Sequence, residues 1–193
     1  MSTRDDDELM EIYITDTHDH ILLFTNRGRV YPLRAFDISE DTSRTTRGTQ
    51  IINLVPLERG ETVQTILPVK DPKEDYLMVL VTKQGQVKAL RAGELVNIRA
   101  RGLIAMNLKS DDELVGVQQV EESDDIIMVS QNGQAMRFSM SNLSPRRRGA
   151  GGVRGMRLLS KDQVISVGKI TEDSKLLICC TKADFGSLVR YKA

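Results

Sequence analysis

Ile21-Leu22-Leu23-Phe24-Thr25-Asn26-Arg27-Gly28 is an apolar run that ends in a glycine turn, and the chain returns to it three more times. The later copies are Leu77-Met78-Val79-Leu80-Val81-Thr82-Lys83-Gln84-Gly85, Ile126-Ile127-Met128-Val129-Ser130-Gln131-Asn132-Gly133, and Leu176-Leu177-Ile178-Cys179-Cys180-Thr181-Lys182-Ala183-Asp184-Phe185-Gly186. The first three share Ser/Thr-x-x-Gly, and the fourth carries two extra residues in its turn. A short apolar run closed by such a turn is a hairpin signal, because tight hairpin turns require positive φ.

Working outward, each turn is followed by a second strand: Arg29-Val30-Tyr31, Gln86-Val87-Lys88 and Gln134-Ala135-Met136-Arg137-Phe138. A polar, arginine-bearing loop comes next. A third strand is then expected at fixed spacing from a glycine, since Gly48, Gly102 and Gly152 each stand six residues before a leucine (Leu54, Leu108, Leu158). A charged turn leads to a fourth strand at Val63 to Val69, Leu114 to Val120 and Val164 to Ile170. Several of these segments alternate apolar and polar residues, the period of a half-buried sheet. Four strands in each repeat of roughly 50 residues predict an all-β, propeller-like array of blades, about three and a half of them here. We expect repeats over about 19–70, 75–120 and 124–170, with a partial one at 174–193. The acidic residues 1–10 should form a disordered N-terminus, leaving 11–193 as the folded domain. No segment has sustained helical periodicity; Leu90 to Leu95 has room for one short turn.

The chain has 193 residues, 40% of them hydrophobic, enough for a real core, but only 4% aromatic and no Trp. Val, Ile, Leu and Met must therefore fill it. Lys+Arg and Asp+Glu balance at 27 each, so any attraction for a polyanion has to come from local segregation of charge. Cys179 and Cys180 are adjacent and read as core filling in a reducing compartment. The acidic start is not a signal peptide, and no apolar run reaches the roughly 18 residues of a membrane helix. A cytoplasmic protein with no membrane partner is expected.

The loop Ser144-Pro145-Arg146-Arg147-Arg148-Gly149-Ala150-Gly151-Gly152-Val153-Arg154-Gly155-Met156-Arg157 holds five arginines and no acid. Its counterparts are Ser43-Arg44-Thr45-Thr46-Arg47-Gly48 and Asn97-Ile98-Arg99-Ala100-Arg101-Gly102. Arginine presents a planar, permanently charged fork that matches phosphate oxygens, and glycine lets a backbone N–H approach the same anion. Repetition at equivalent positions would set basic points along one rim, suited to a polyanion followed by its backbone rather than read by its bases. The alternative is that these arginines solvate a loop and pair with nearby acids.

Catalytic patterns are thin. Asp184-Phe185-Gly186 matches a kinase tripeptide without its partner motifs and reads as a turn. Gly149-x-Gly151 fails the dinucleotide fingerprint, because Arg154 stands at the third glycine position. His18 and His20 flank Asp19 at the start of a strand, without further metal ligands nearby in sequence. We expect no catalytic residue, metal site or cofactor in this chain.

Phe24-Thr25-Asn26-Arg27-Gly28-Arg29-Val30-Tyr31, Arg44-Thr45-Thr46-Arg47-Gly48-Thr49-Gln50-Ile51-Ile52-Asn53-Leu54 and Gly102-Leu103-Ile104-Ala105-Met106-Asn107-Leu108 resemble the C-terminal domain of the DNA gyrase A subunit. Glu113-Leu114-Val115-Gly116-Val117 and Gly152-Val153-Arg154-Gly155-Met156-Arg157-Leu158 strengthen the likeness, which extends from about Leu9 onward. The resemblance implies a β-pinwheel, a propeller-like disc with strand exchange between blades, whose basic rim bends and wraps duplex DNA in support of ATP-dependent negative supercoiling. It implies double-stranded DNA as ligand, and the rest of gyrase A with gyrase B, in an A2B2 assembly, as protein partners. It also implies a cytoplasmic, nucleoid-associated location. By position, the DNA contacts would be Arg44, Arg47, Arg99, Arg101, Arg146, Arg147, Arg148, Arg154 and Arg157. The tail domain of the topoisomerase IV A subunit is a close relative and offers a second reading, and a propeller-type protein-interaction module offers a third. The family's Gln-Arg-Arg-Gly-Gly-Lys-Gly box is absent; the nearest string is Arg147-Arg148-Gly149-Ala150-Gly151-Gly152. The chain looks like the middle of such a disc, lacking the breakage-reunion region and its tyrosine.

Overall fold

A run that is apolar at every position can sit only where both faces of a sheet are covered. Ile21 to Thr25 are all buried, in strand β1 (His20–Thr25), and β1 is a central strand. The computed structural model describes residues 11–40, 48–70, 76–95 and 98–170 in full, and the backbone of Ser174–Cys180 and Phe185–Lys192. β1 turns at Gly28, φ 72°, into β2 (Arg29–Arg34), and its other edge receives β3 (Val63–Val69). The second repeat supplies β4 (Leu77–Thr82), β5 (Gln86–Arg91), β6 (Leu103–Ile104) and β7 (Leu114–Val120). The third supplies β8 (Asp125–Ser130), β9 (Ala135–Ser139), β10 (Val153–Arg154) and β11 (Val164–Ile170). β12 (Ser174–Cys180) and β13 (Phe185–Lys192) form a final antiparallel pair.

The sheets do not coincide with the repeats. Their strand orders are β3-β1-β2-β6, β10-β5-β4-β7, β11-β8-β9 and β12-β13. The short third strand of each later repeat has crossed to the outer edge of the preceding blade: β6 closes blade 1 and β10 closes blade 2. The register is the same both times. Arg29 and Val30 oppose Ile104 and Leu103, while Gln86 and Val87 oppose Arg154 and Val153. The carbonyl of the hairpin glycine then accepts two N–H groups, Ala105 and Met106 at Gly28, Gly155 and Met156 at Gly85.

At the opposite edge β7 lies against β3 and β11, so the fourth strands converge. Here too one bond repeats: Leu114 N–H donates to Asn26 O at 2.8 Å, and Val164 N–H to Lys83 O at 2.9 Å. Apolar clusters fill the spaces between blades. Met78, Leu80, Leu90 and Leu114 meet Leu22, Phe24 and Val30 between blades 1 and 2, with Met106 inserted among them. Met156 occupies the equivalent place between blades 2 and 3, beside Val79, Val81, Ile126 and Met128.

One expectation is corrected. The segment after Gly48 is not a strand but a 3-10 turn at Ile51–Asn53. Ile52, the counterpart of buried Met106 and Met156, is 59% exposed. A two-residue strand forms only where another blade offers an edge, and among the described residues no blade precedes the first. The Asp-Phe-Gly turn is also revised, since Phe185 and Gly186 belong to β13 and Asp184 lies outside the described residues. The short turn expected near Leu90 occupies Ala92–Leu95.

Candidate nucleic-acid interface

Strand exchange decides where the arginines go. The loops that carry them lead into β6 and β10, so they ride on the outer edge of the preceding blade, opposite the converged fourth strands. Arg99 and Arg101 flank a turn in which Gly102 N–H donates to Arg99 O at 2.8 Å. Gly102 has φ 74°, and a Cβ there would lie 2.7 Å from the ring of Tyr31, so the loop rests directly on that ring. Arg29 reinforces the seat: its guanidinium lies 5.6 Å from the Tyr31 ring centroid and donates to Arg101 O at 2.8 Å.

The longer loop is seated on blade 2. Arg146 N–H donates to Ala89 O at 2.8 Å, and Ala150 N–H to Arg147 O at 3.0 Å. Arg148 N–H reaches Glu94 Oε2 at 3.4 Å. Arg154 lies within β10 and Arg157 just beyond it. Arg99, Arg101, Arg146, Arg147, Arg148, Arg154 and Arg157 are all exposed. Among the described residues none of these seven forms an ion pair, whereas Arg27 and Arg29 share Glu58 and Arg137 takes Asp125. Arg44 and Arg47 lie outside the described residues. The structure thus brings two arginine groups to the outer edges of adjacent blades, exposed and, among the described residues, not ion-paired.

Three acids near the fourth strands have structural work. Glu61, Asp112 and Asp162 each stand two residues before a fourth strand and tie the hairpin turn to it. Thr25 Oγ1 donates to Glu61 Oε1 at 2.6 Å, Gln84 N–H to Asp112 Oδ1 at 2.9 Å, and Ser130 Oγ to Asp162 Oδ2 at 2.7 Å. Burial would raise the Glu61 carboxyl, but bonds from Thr25, the Glu58 amide and the Tyr31 hydroxyl outweigh it and hold the group below its ordinary range. Tyr31 shows the reverse side: burial and the bond to Glu61 push its phenol up to about 12. The fixed offset from the fourth strand was the available signal for these acids. His18 is exposed and His20 opens β1; among the described residues no His, Cys, Asp and Glu gather into a metal-binding group. No helix among them is long and apolar enough to cross a membrane.

Comparison with known proteins agrees with this architecture. The family described as "DNA gyrase C-terminal domain, beta-propeller" matches residues 19–70, 77–121 and 124–171. The chain is 43% identical over 155 residues to the DNA gyrase A subunit of Clostridium acetobutylicum, covering 80% of this chain and 19% of that protein. It is 40% identical over 177 residues to the Staphylococcus epidermidis protein of the same name, covering 91% and 20%. The chain therefore spans about a fifth of the length of these curated relatives. Among solved structures, the C-terminal domain of DNA topoisomerase IV aligns with TM-score 0.81 and 28% identity, covering 99% of this chain and 58% of that one. A DNA gyrase A C-terminal domain aligns with TM-score 0.72 and 26% identity, covering 93% and 58%.

Proposed function

Because the chain belongs to the DNA gyrase C-terminal domain family of β-propellers, we propose that it is a sequence-tolerant module that binds and wraps duplex DNA for a gyrase-type A subunit. The observation that carries this reading is the set of exposed arginines, without ion-pair partners among the described residues, that strand exchange brings to the outer edges of adjacent blades. Guanidinium groups close to a glycine-rich backbone match phosphate oxygens in pairs, and they carry no preference for base sequence. Two groups on adjacent blades would hold DNA at successive points along its backbone, so that it curves around the edge. Smooth bending of a 20–30 bp site costs on the order of 1–6 kcal/mol, which repeated phosphate contacts can offset.

In this reading DNA cleavage and ATP hydrolysis belong to other parts of the parent enzyme. Its partners are gyrase B and the remainder of gyrase A, in the cytoplasm at the nucleoid. The closer superposition on the topoisomerase IV domain supports a second reading, the tail of that enzyme's A subunit. DNA binding is common to both; wrapping separates them, since a wrapping module shifts the linking number of a plasmid closed in its presence. Gel shifts with two duplexes of unrelated sequence test the shared claim. Equal binding that fades with added salt is expected, and no binding at low salt would overturn it.

A further inference from the structure

We propose that Lys88 is a positioning residue of the arginine edge: buried in β5, it fixes the Arg146–Arg148 loop against the neighbouring exchanged segment without itself meeting DNA. This rests on the DNA-binding reading above and deepens it. A lysine in a strand ordinarily extends its ammonium to water. Lys88 is fully buried, and a buried charge persists only where its donors are satisfied. Its Nζ donates to three backbone carbonyls, Ala105 O at 2.7 Å, Arg148 O at 2.6 Å and Ala150 O at 3.0 Å, which accounts for every ammonium hydrogen.

Those carbonyls come from two different repeats. Ala105 follows β6, which closes blade 1, whereas Arg148 and Ala150 lie in the loop that closes blade 2. Ala150 O also accepts Asn107 N–H at 3.3 Å, so the two outer segments meet over this one ammonium. The same position in blade 1 is Tyr31, the seat of the Gly102 loop; in blade 3 it is Met136, 41% exposed. In blades 1 and 2 the third residue after the hairpin glycine is therefore where the blade receives the following loop. The charged groups acting on Lys88 are Arg146 in the loop and Glu94 in the turn after β5. Burial lowers the ammonium to about 8 and Arg146 adds to this, while Glu94 opposes it.

Amide exchange and DNA binding together test the role. In Lys88→Met, the amides of Asn107 and Ala150 should lose about tenfold or more of their protection, the equivalent of a hydrogen bond to a charged group, while Val79 and Leu80 keep theirs. A side chain that only filled the core would weaken loop and core amides alike. Loop and core amides changing equally in the variant would overturn the assignment. The Lys88→Met chain should also lose salt dependence of DNA binding as an Arg146/Arg147/Arg148→Ala variant does. If the arginine variant binds DNA like wild type, the DNA-binding reading fails, and the exchange results still decide the anchor.

Discussion

Truncating Met106 and Ile52 to alanine should give very different results, although the two residues occupy the same position of successive repeats. Met106 is 1% exposed and sits among apolar side chains of blades 1 and 2. Its Cε fills the space where a Cβ on Gly152 would stand, 2.6 Å away. Removing three heavy atoms leaves a hole partly walled by the Gly152 backbone, which has no side chain to collapse into it. Methionine-to-alanine changes in cores cost about 2–5 kcal/mol, and a wall that cannot repack favours at least the middle of that range, about 3 kcal/mol. For a domain of this size each kcal/mol lowers Tm by roughly 2–4 °C, so a fall of roughly 6–12 °C is expected. Ile52, 59% exposed, should change stability by less than about 0.5 kcal/mol. With no Trp in the chain, urea unfolding followed by far-UV circular dichroism is the practical assay. Equal losses for Met106→Ala and Ile52→Ala would refute the claim that strand exchange buries one and leaves the other outside.

Glu61→Gln should cost about 1–3 kcal/mol at neutral pH, by weakening a buried acceptor of three hydrogen bonds. Because the folded carboxyl is held below its unfolded value, its contribution is present above the ordinary carboxylate range and lost as pH falls through the folded value; the gap to wild type should close in acid. Urea midpoints at neutral and acid pH check this, and a constant gap would count against it. Gly102→Ala should be more destabilising than Gly48→Ala: both have positive φ, with a left-handed cost of about 1–2 kcal/mol, but only the former sets a Cβ against the Tyr31 ring. Thermal melts of the two variants side by side decide it.

The periodic parts of this fold were legible and the pairing was not. Val63–Val69, Leu114–Val120 and Val164–Ile170 are strands with the bounds their alternation predicts, because seven residues are enough to express a period. Leu103–Ile104 and Val153–Arg154 are two residues each, too short for any period, and their partners lie in another repeat. Only the family resemblance pointed to that exchange. For the same reason the segment after Gly48 read as a strand: its sequence matches the pattern, but pairing needs an edge that its own repeat does not supply. The exposed arginines were visible as a composition of loops. Lys88 was not, because a lysine between Val87 and Ala89 looks like the solvent-facing position of an ordinary alternating strand. Glu61 and its counterparts were hidden among other acids, and only their offset from the fourth strands sets them apart.

The salt dependence of duplex binding tests the central claim most directly. Each phosphate contact contributes about 0.9 to the slope of log K against log salt, so Arg146/Arg147/Arg148→Ala should flatten the slope by about 2.7 if each arginine holds one phosphate. A variant that folds normally and keeps the wild-type slope would contradict the account, because phosphate would then bind somewhere other than the arginine edge.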